Sequence, residues 1–174
     1  YFALIKIESI NDAQPEGTRT KPVFDVLTPV RPLSRIQFTN GVENVTARLM
    51  DSYLPMGFGQ RVAVVAPPRT ERFAFFKDLI HGIRSNHPSA KVLVLLLDER
   101  PEEVTALTRS VDAEVLYSTF DEPAARHVQV TDMALERAKR MAESGNDVVL
   151  FVDSLSRLAR ASHAANPAGG KMMN

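Results

Sequence analysis

Acidic side chains follow several apolar runs in this sequence, at the points where strands would end. Asp98 and Glu99 come directly after one run, Asp153 directly after another, and Asp121 and Glu122 shortly after a third. In a parallel sheet the carboxyl ends of the strands meet at one edge, which is where ligands bind in α/β proteins. Carboxylate oxygens at such an edge suit Mg²⁺ together with a phosphate ligand. Acidic residues at strand ends also cap helices, so residue type alone leaves that structural role open as well.

The residues after the first apolar run occupy the place of a phosphate-binding loop. Such a loop reads Gly-x-x-x-x-Gly-Lys-Ser/Thr, whereas residues 67–73 read Pro-Pro-Arg-Thr-Glu-Arg-Phe. Glu71 adds a Cβ and a negative charge where the backbone must approach phosphate, and Arg72 offers a planar fork instead of the point charge of lysine. Phe73 has no hydroxyl group for a metal ion. By themselves, these residues do not predict a phosphate-binding loop.

Apolar runs and the helical patterns between them must position these side chains. The runs lack polar–apolar alternation, which is typical of strands buried on both faces in a parallel sheet. We predict strands over residues 62–66, 91–97, 115–119 and 148–152, and helices over residues 73–86, from 101 onward, over 124–143 and over 155–165. Helices that separate such strands predict an α/β fold with right-handed crossovers.

The beginning of the chain has a different pattern. Residues 1–7 predict a strand that belongs mostly to an upstream domain, and the polar residues 8–22 predict a linker. Prolines at positions 29, 32 and 55 disfavour long helices, and we expect short strands near residues 35–38 and a turn at Asn40-Gly41. A strand opens the chain and a Gly-rich stretch ends it, so we expect a piece of a longer protein.

Composition excludes several classes of protein. With 44% hydrophobic and 24% charged residues, the chain resembles a folded globular domain and not a disordered one. The absence of cysteine rules out a disulfide scaffold, a thiolate zinc site and a cysteine nucleophile. The 21 basic and 21 acidic side chains give no bulk charge for nucleic acid, which leaves only a local basic site. No apolar run could cross a bilayer and no signal peptide is visible, so we predict a cytoplasmic protein without a membrane partner.

Several longer blocks of the sequence resemble one family over essentially the whole chain. The blocks LLLDERPEEVTALTR, STFDEPAARHVQVTDMALERAKRM and VVLFVDSLSRLARA, with VTARLMD, GFGQR and VAPP, resemble bacterial transcription termination factors of the Rho type. The resemblance implies a homohexameric, RNA-dependent ATPase and 5′-to-3′ RNA helicase that uses ATP and Mg²⁺. It implies RNA and the RNA polymerase complex as partners. It also implies that residues 1–8 are the last strand of an RNA-binding OB-fold, 9–28 a linker, and 29–174 a RecA-like P-loop ATPase domain truncated at its C-terminal side.

The resemblance also implies roles for individual residues. Glu99 matches a catalytic glutamate that acts on the attacking water, Arg100 an arginine near the phosphates, and Asp153 a carboxylate that holds Mg²⁺ through water. Tyr1 and Lys171 match RNA-contacting positions. One nucleotide-binding segment comprises Gly57, Phe58, Gly59, Gln60, Arg61 and Val62. The Walker A position comprises Arg69, Thr70, Glu71, Arg72, Phe73 and Ala74.

The Walker A position departs from the family pattern Pro-Pro-Lys-x-Gly-Lys-Thr, and this leaves alternatives open. The chain could be a non-catalytic Rho-like module that binds RNA or a ring without hydrolysing ATP, or residues 69–73 could be a local sequence artefact. The chain also ends before the later motor elements of the family, including its arginine finger. A third interpretation is a general RecA-like NTPase that acts outside transcription termination, such as a relative of ATP synthase subunits, but the DERPEE and FDEPAARH blocks argue against it.

Overall fold

Parallel strands flanked by helices form the centre of the protein. The computed structural model describes residues 6–8, 22–29, 31–32, 34–39, 44–67 and 70–165. The strands are β1 (Arg35–Ile36), β2 (Met56–Gly57), β3 (Lys91–Glu99), β4 (Glu114–Thr119) and β5 (Val148–Asp153). The α-helices are α1 (Val45–Tyr53), α2 (Arg72–Asn86), α3 (Pro101–Ser110), α4 (Ala124–Glu143) and α5 (Leu155–Ala165).

The main sheet has the order β4-β3-β5, and its strands are all parallel. Leu96 of β3 lies opposite Asp153 of β5, so the two strands finish at the same edge. On the other side of β3 the pairing with β4 becomes irregular between Leu96 and Glu99, where Asp98 has a φ of 56°. The alternation of parallel strands and helices confirms the predicted α/β fold.

Local signals explain where the helices begin and end. Asn44 caps α1, because its side-chain oxygen accepts a 3.0 Å hydrogen bond from the backbone N–H of Ala47. Pro101 begins α3, where its missing N–H has no cost. Gly145 follows α4 with a φ of +84°, the left-handed conformation that ends many helices.

Apolar side chains pack on both faces of the sheet. Leu95 and Leu97 of β3 pack against Val130 and Ala134 of α4 on one face. The opposite face carries a larger core that includes α1, α2 and α3. Its buried members are Ile36, Phe38, Ala47, Met50, Leu79, Ile80, Ile83, Ala90, Val92, Val94, Leu96, Val104 and Leu107. The result is a three-layer arrangement in which β3 is covered from both sides, as its unbroken apolar run predicted.

The prediction of a strand over residues 62–66 is wrong. Residues 61–67 carry no strand, and Val65 in their middle is 95% exposed. An apolar run provides side chains that suit a buried strand, but a strand also needs the edge of another strand for its backbone hydrogen bonds. No described strand pairs with this segment. The predicted strands 91–97, 115–119 and 148–152 and the helices 73–86, 124–143 and 155–165 are confirmed within two residues at each end.

Helix α1 and strand β2, both before residue 60, were not predicted. Helix α1 forms between the prolines at 32 and 55, and β2 pairs antiparallel with β1. The turn at Asn40-Gly41 lies outside the described residues. So does most of the predicted N-terminal strand, of which residues 6–8 are described without secondary structure.

The end of the predicted linker makes contacts with helix α4. A short 3₁₀ helix, Phe24–Val26, lies against α4. The backbone N–H of Phe24 donates a 2.6 Å hydrogen bond to Glu143, and Asp25 is 3.2 Å from the ammonium group of Lys139. Within the described ranges, none of the helices is long and apolar enough to cross a membrane.

Candidate functional site

Two acidic side chains and one arginine meet at the carboxyl edge of the sheet. Glu99 ends β3, Asp153 ends β5, and Arg72 begins α2. Glu99 is 2% exposed and Asp153 is 6% exposed, so both carboxylates are almost removed from water. The convergence predicted from the parallel strands is therefore present for Glu99 and Asp153.

The guanidinium group of Arg72 bridges the two carboxylates. Its Nη2 donates a 2.7 Å hydrogen bond to Oε2 of Glu99, and its Nε donates to Oδ2 of Asp153. Nη2 also lies 3.6 Å from Oε2 of Glu103. The guanidinium carbon is 4.6 Å from the ring centroid of Phe73, within cation–π range. The arginine is thus held by three acidic groups and one aromatic face.

A second arginine anchors Glu99 from the other side. Arg157, on α5, donates from Nη1 both to Oε2 of Glu99 and to the backbone carbonyl oxygen of Leu97, the latter at 3.0 Å. Its contact with two points of the same strand end fixes the direction of the Glu99 side chain. Arg157 is therefore a positioning residue for that carboxylate.

These contacts set the charge of each group. Burial alone would raise the pKa of Glu99, but hydrogen bonds with Glu103, Arg157 and Arg72 hold its pKa below the ordinary value. The hydrogen bond with Glu99 raises the pKa of Glu103, and burial adds to this effect. Burial would lower the pKa of Arg72, but Glu99 and Asp153 raise it above the ordinary value. Glu99 is therefore a carboxylate and Arg72 a cation at neutral pH.

A cavity of about 320 Å³ opens beside this cluster. Its wall includes five of the six residues at the Walker A position and one residue of α3. The lining residues are Thr70, Glu71, Arg72, Phe73, Ala74 and Glu103. The backbone turns into α2 here: the hydroxyl of Thr70 donates a 2.6 Å hydrogen bond to the carbonyl of Pro67. The segment occupies the position of a phosphate-binding loop, but two acidic residues, Glu71 and Glu103, line the cavity.

The other predicted nucleotide-binding residues lie elsewhere. The ring of Phe58 meets the ring of His87 edge-on at 5.3 Å, beyond the last residue of α2. Arg72 is at the first residue of that helix, and 15 residues of helix span ~21 Å. Residues 57–60 form a tight turn. The N–H of Gly57 donates a 3.0 Å hydrogen bond to the side chain of Gln60, and Gly59 has a φ of +88°. The structure does not bring this turn to Glu99.

The remaining predicted site residues are spread more widely. Arg100 is exposed immediately before α3, where its charge acts on Glu103. Arg61 and Val62 are exposed in the segment without secondary structure. Arg69, Tyr1 and Lys171 lie outside the described residues.

Sequence reasoning missed Glu103 as a member of the cluster. Glu103 lies four residues after Glu99, in the first turn of α3. In the sequence, an acidic residue in the first turn of a helix is accounted for by its favourable interaction with the helix N-terminus. The sequence signal for its place in the cluster was its position: Glu103 lies in the first turn of the helix that follows β3, close to the strand end that carries Glu99.

The resemblance noted in the sequence implies Mg²⁺, and the geometry tests whether the residues fit it. Among the described ranges, no group of three or more acidic or histidine side chains is arranged to hold a metal ion. The carboxylates of Glu99 and Asp153 already pair with Arg72, and Phe73 offers no oxygen. In this arrangement the residues do not fit Mg²⁺.

Similar solved structures agree with this fold. An ATPase from the type III secretion system of pathogenic bacteria matches 89% of this chain and 43% of its own, with a TM-score of 0.69 and 21% identity. The ATPase EscN, solved with its central stalk EscO from enteropathogenic E. coli, matches 88% of this chain and 36% of its own, with a TM-score of 0.64 and 25% identity. These neighbours confirm the predicted RecA-like ATPase fold.

Similar sequences identify the family. The Rho transcription termination factor of Chromobacterium violaceum is 47% identical over 99% of this chain, and that of Rhodopirellula baltica is 48% identical over the same share. The chain spans 42% and 34% of the lengths of these relatives. The family model for the nucleotide-binding domain of the ATP synthase alpha/beta family matches residues 46–173. The resemblance seen in the sequence blocks is thus confirmed, and the chain belongs to the ATP synthase alpha/beta family, within which it is similar to transcription termination factors Rho.

Proposed function

We propose that this chain is the first part of the motor of a Rho-type transcription termination factor. The whole protein is a homohexameric, RNA-dependent ATPase in the cytoplasm that moves 5′-to-3′ along a nascent transcript and releases it from the RNA polymerase complex. The observation that carries this proposal is the meeting of Glu99 and Asp153 at the carboxyl edge beside the start of α2. That is the place of the nucleotide in α/β ATPases.

The site residues have distinct roles in this proposal. Glu99 orients and deprotonates the attacking water, and Arg157 holds its carboxylate in direction. Residues 69–74 border the phosphates together with Arg100. Residues 57–62, which lie near the far end of α2 in this structure, contact another part of the nucleotide once the site rearranges. Tyr1 and Lys171 contact RNA.

The charge state of Glu99 supports its role in orienting the attacking water. Because its pKa lies below the ordinary value, the group is ionised at neutral pH and accepts a hydrogen bond from that water molecule. Burial at 2% exposure strengthens its electrostatic effect on a nearby water molecule.

The test is RNA-stimulated ATP hydrolysis by the full-length protein with cytosine-rich RNA. Glu99→Gln keeps the size of the side chain and removes the base, and we expect hydrolysis to fall by about 10²- to 10⁴-fold. Asp112→Asn is the matched control, because Asp112 pairs only at the surface with Arg84, and we expect no change. Hydrolysis that RNA does not stimulate, or that survives Glu99→Gln, contradicts the proposal.

The non-catalytic Rho-like module is the second candidate. The similarity to Rho relatives does not favour it, and the observation on its side is the pairing of Arg72 with both carboxylates. RNA binding by the full-length protein without any ATP hydrolysis is the outcome that selects this candidate.

A further inference from the structure

We propose that Arg72, backed by Phe73, is a built-in cation that closes the nucleotide site by occupying the space between Glu99 and Asp153. The proposal rests on the proposed function only in assigning this edge to nucleotide. In this role Arg72 competes with a divalent metal ion for the same carboxylates. Entry of a metal–nucleotide complex then requires the arginine side chain to leave.

Charge balance at the edge is the first argument. An unpaired carboxylate removed from water is strongly destabilising, and the side chains of Glu99 and Asp153 are only 3% and 8% exposed. The planar fork of a guanidinium group has several donors, so Nη2 serves Glu99 while Nε serves Asp153. Arg72 pairs with both acids and Arg157 adds a second cation at Glu99, so both acids are neutralised within the chain, without a metal ion.

The neighbouring substitution is the second argument. Phe73 stands where the family pattern has a threonine, and its ring lies 4.6 Å from the guanidinium carbon. A threonine would offer an oxygen to a metal ion, whereas the ring offers a face to a cation. The departures at Arg72 and Phe73 thus act in the same direction: together they favour an arginine in this space and disfavour a metal ion.

The wall of the cavity is the third argument. Glu71 and Glu103 line it with Arg72, and Glu103 lies 3.6 Å from the guanidinium group. If Arg72 swings away, four acidic groups remain around the space, namely Glu71, Glu99, Glu103 and Asp153, and only Glu99 keeps a described ion pair with an arginine, Arg157. Repulsion among these groups keeps the arginine in place and opposes an incoming phosphate.

The experiment measures Mn²⁺ binding to the full-length protein by electron paramagnetic resonance, without nucleotide or RNA. Arg72→Gln keeps most of the side-chain length and removes the charge. An arginine that closes the site in 90–99% of molecules weakens the apparent affinity about 10- to 100-fold. We therefore expect Arg72→Gln to bind Mn²⁺ at least tenfold more tightly than the unsubstituted protein.

Arg84→Gln is the matched control. Arg84 lies on the same helix, its side chain is 32% exposed against 34% for Arg72, and it pairs with Asp112 far from the cluster. We expect its Mn²⁺ affinity to match that of the unsubstituted protein. Equal affinity of Arg72→Gln and Arg84→Gln overturns the inference.

A second variant covers the case in which Arg72→Gln fails to fold, as circular dichroism would show. Arg72→Lys keeps the cation but cannot donate to both carboxylates from one planar group. Mn²⁺ binding tighter than in the unsubstituted protein then supports the inference, and unchanged binding overturns it.

The outcome is separable from the proposed function, because Mn²⁺ binding requires neither hydrolysis nor RNA. Tighter Mn²⁺ binding in Arg72→Gln, in a protein with no RNA-stimulated hydrolysis, removes the proposed function and keeps the inference. RNA-stimulated hydrolysis by the unsubstituted protein, with unchanged Mn²⁺ binding in Arg72→Gln, keeps the proposed function and removes the inference.

Discussion

Single side chains link distant parts of this chain at the sheet edge. Arg72 contacts Glu99 and Asp153, which lie 27 and 81 residues later in the sequence. Each ion pair by itself has a large desolvation cost, and only the bridging geometry offsets it for both acids at once. Arg72, one of the residues that depart from the family pattern, therefore contacts three acidic groups at the site.

A third, partly buried carboxylate has a purely structural role. Asp51, near the end of α1, accepts hydrogen bonds from the backbone N–H groups of Phe38 at 3.1 Å and Thr39 at 2.8 Å. Burial alone would raise the pKa of Asp51, but hydrogen bonds from Thr39 and Phe38 and the charge of Arg35 lower it. This side chain ties the segment after β1 to α1.

At the residue scale, we predict that Asp51→Asn lowers the free energy of unfolding by about 1–3 kcal/mol at pH 7. A depressed carboxyl pKa stabilises the folded state above the unfolded pKa, and this contribution is lost as the pH falls through the folded pKa. The difference between Asp51→Asn and the unsubstituted protein should therefore shrink below about pH 4. Urea unfolding followed by circular dichroism between pH 7 and pH 3 measures it. A difference that is constant with pH contradicts the assignment, and Asp112→Asn, a surface pair, is the control.

Helix α2 begins at the site and is held by a backbone contact near its other end. A Cβ added to Gly82 would lie 2.2 Å from the carbonyl oxygen of Phe38 and 2.8 Å from its Cα. The nearest atoms are backbone atoms that cannot move aside as a flexible side chain can. The glycine thus lets the helix approach the segment after β1.

At the element scale, we predict that Gly82→Ala destabilises the protein. Helix propensity alone favours alanine by about 1 kcal/mol at such a position. Overpacking against backbone costs typically 1–3 kcal/mol and more where the neighbour cannot move, so we expect a net loss of about 2 kcal/mol. Thermal and urea unfolding measure the change. Ser85→Ala, at an exposed position of the same helix, is the control and should be neutral or slightly stabilising. Equal stability of the two variants would show that the close contact does not exist.

At the scale of the whole molecule, β3 joins the two cores. Leu95 packs with Val130 and Ala134 on one face, and Leu96 packs in the larger core on the other. Both side chains are 0% exposed. Because one strand supplies both layers, neither core can lose its packing while the other keeps its geometry.

We predict that Leu95→Ala and Leu96→Ala each lower the free energy of unfolding by about 2.7–5 kcal/mol. The two variants should retain a single unfolding transition with the same dependence on urea, because the cores unfold together. Circular dichroism and tyrosine fluorescence during urea unfolding report on this. Leu135→Ala, on α4 and 43% exposed, is the control and should change stability far less. Two separate transitions in either variant would mean that the cores are independent.

Much of the central layer could be predicted from local signals. The apolar runs of β3, β4 and β5 are long enough to be recognised, and α4 is amphipathic with a glycine after its end. The meeting of Glu99 and Asp153 followed from one rule, since parallel strands present their carboxyl ends at the same edge. The sequence by itself therefore determined the fold class and the place of the candidate site.

Tertiary structure alone decided the rest. Whether residues 62–66 form a strand depends on a neighbouring edge, and the pairing of β1 with β2 depends on a contact across α1. The sequence showed that Arg72 and Phe73 depart from the family pattern, but their effect depends on distances to groups far along the chain. A side chain's type sets which partners it can take, and only the packed fold sets which of them lie within hydrogen-bond distance.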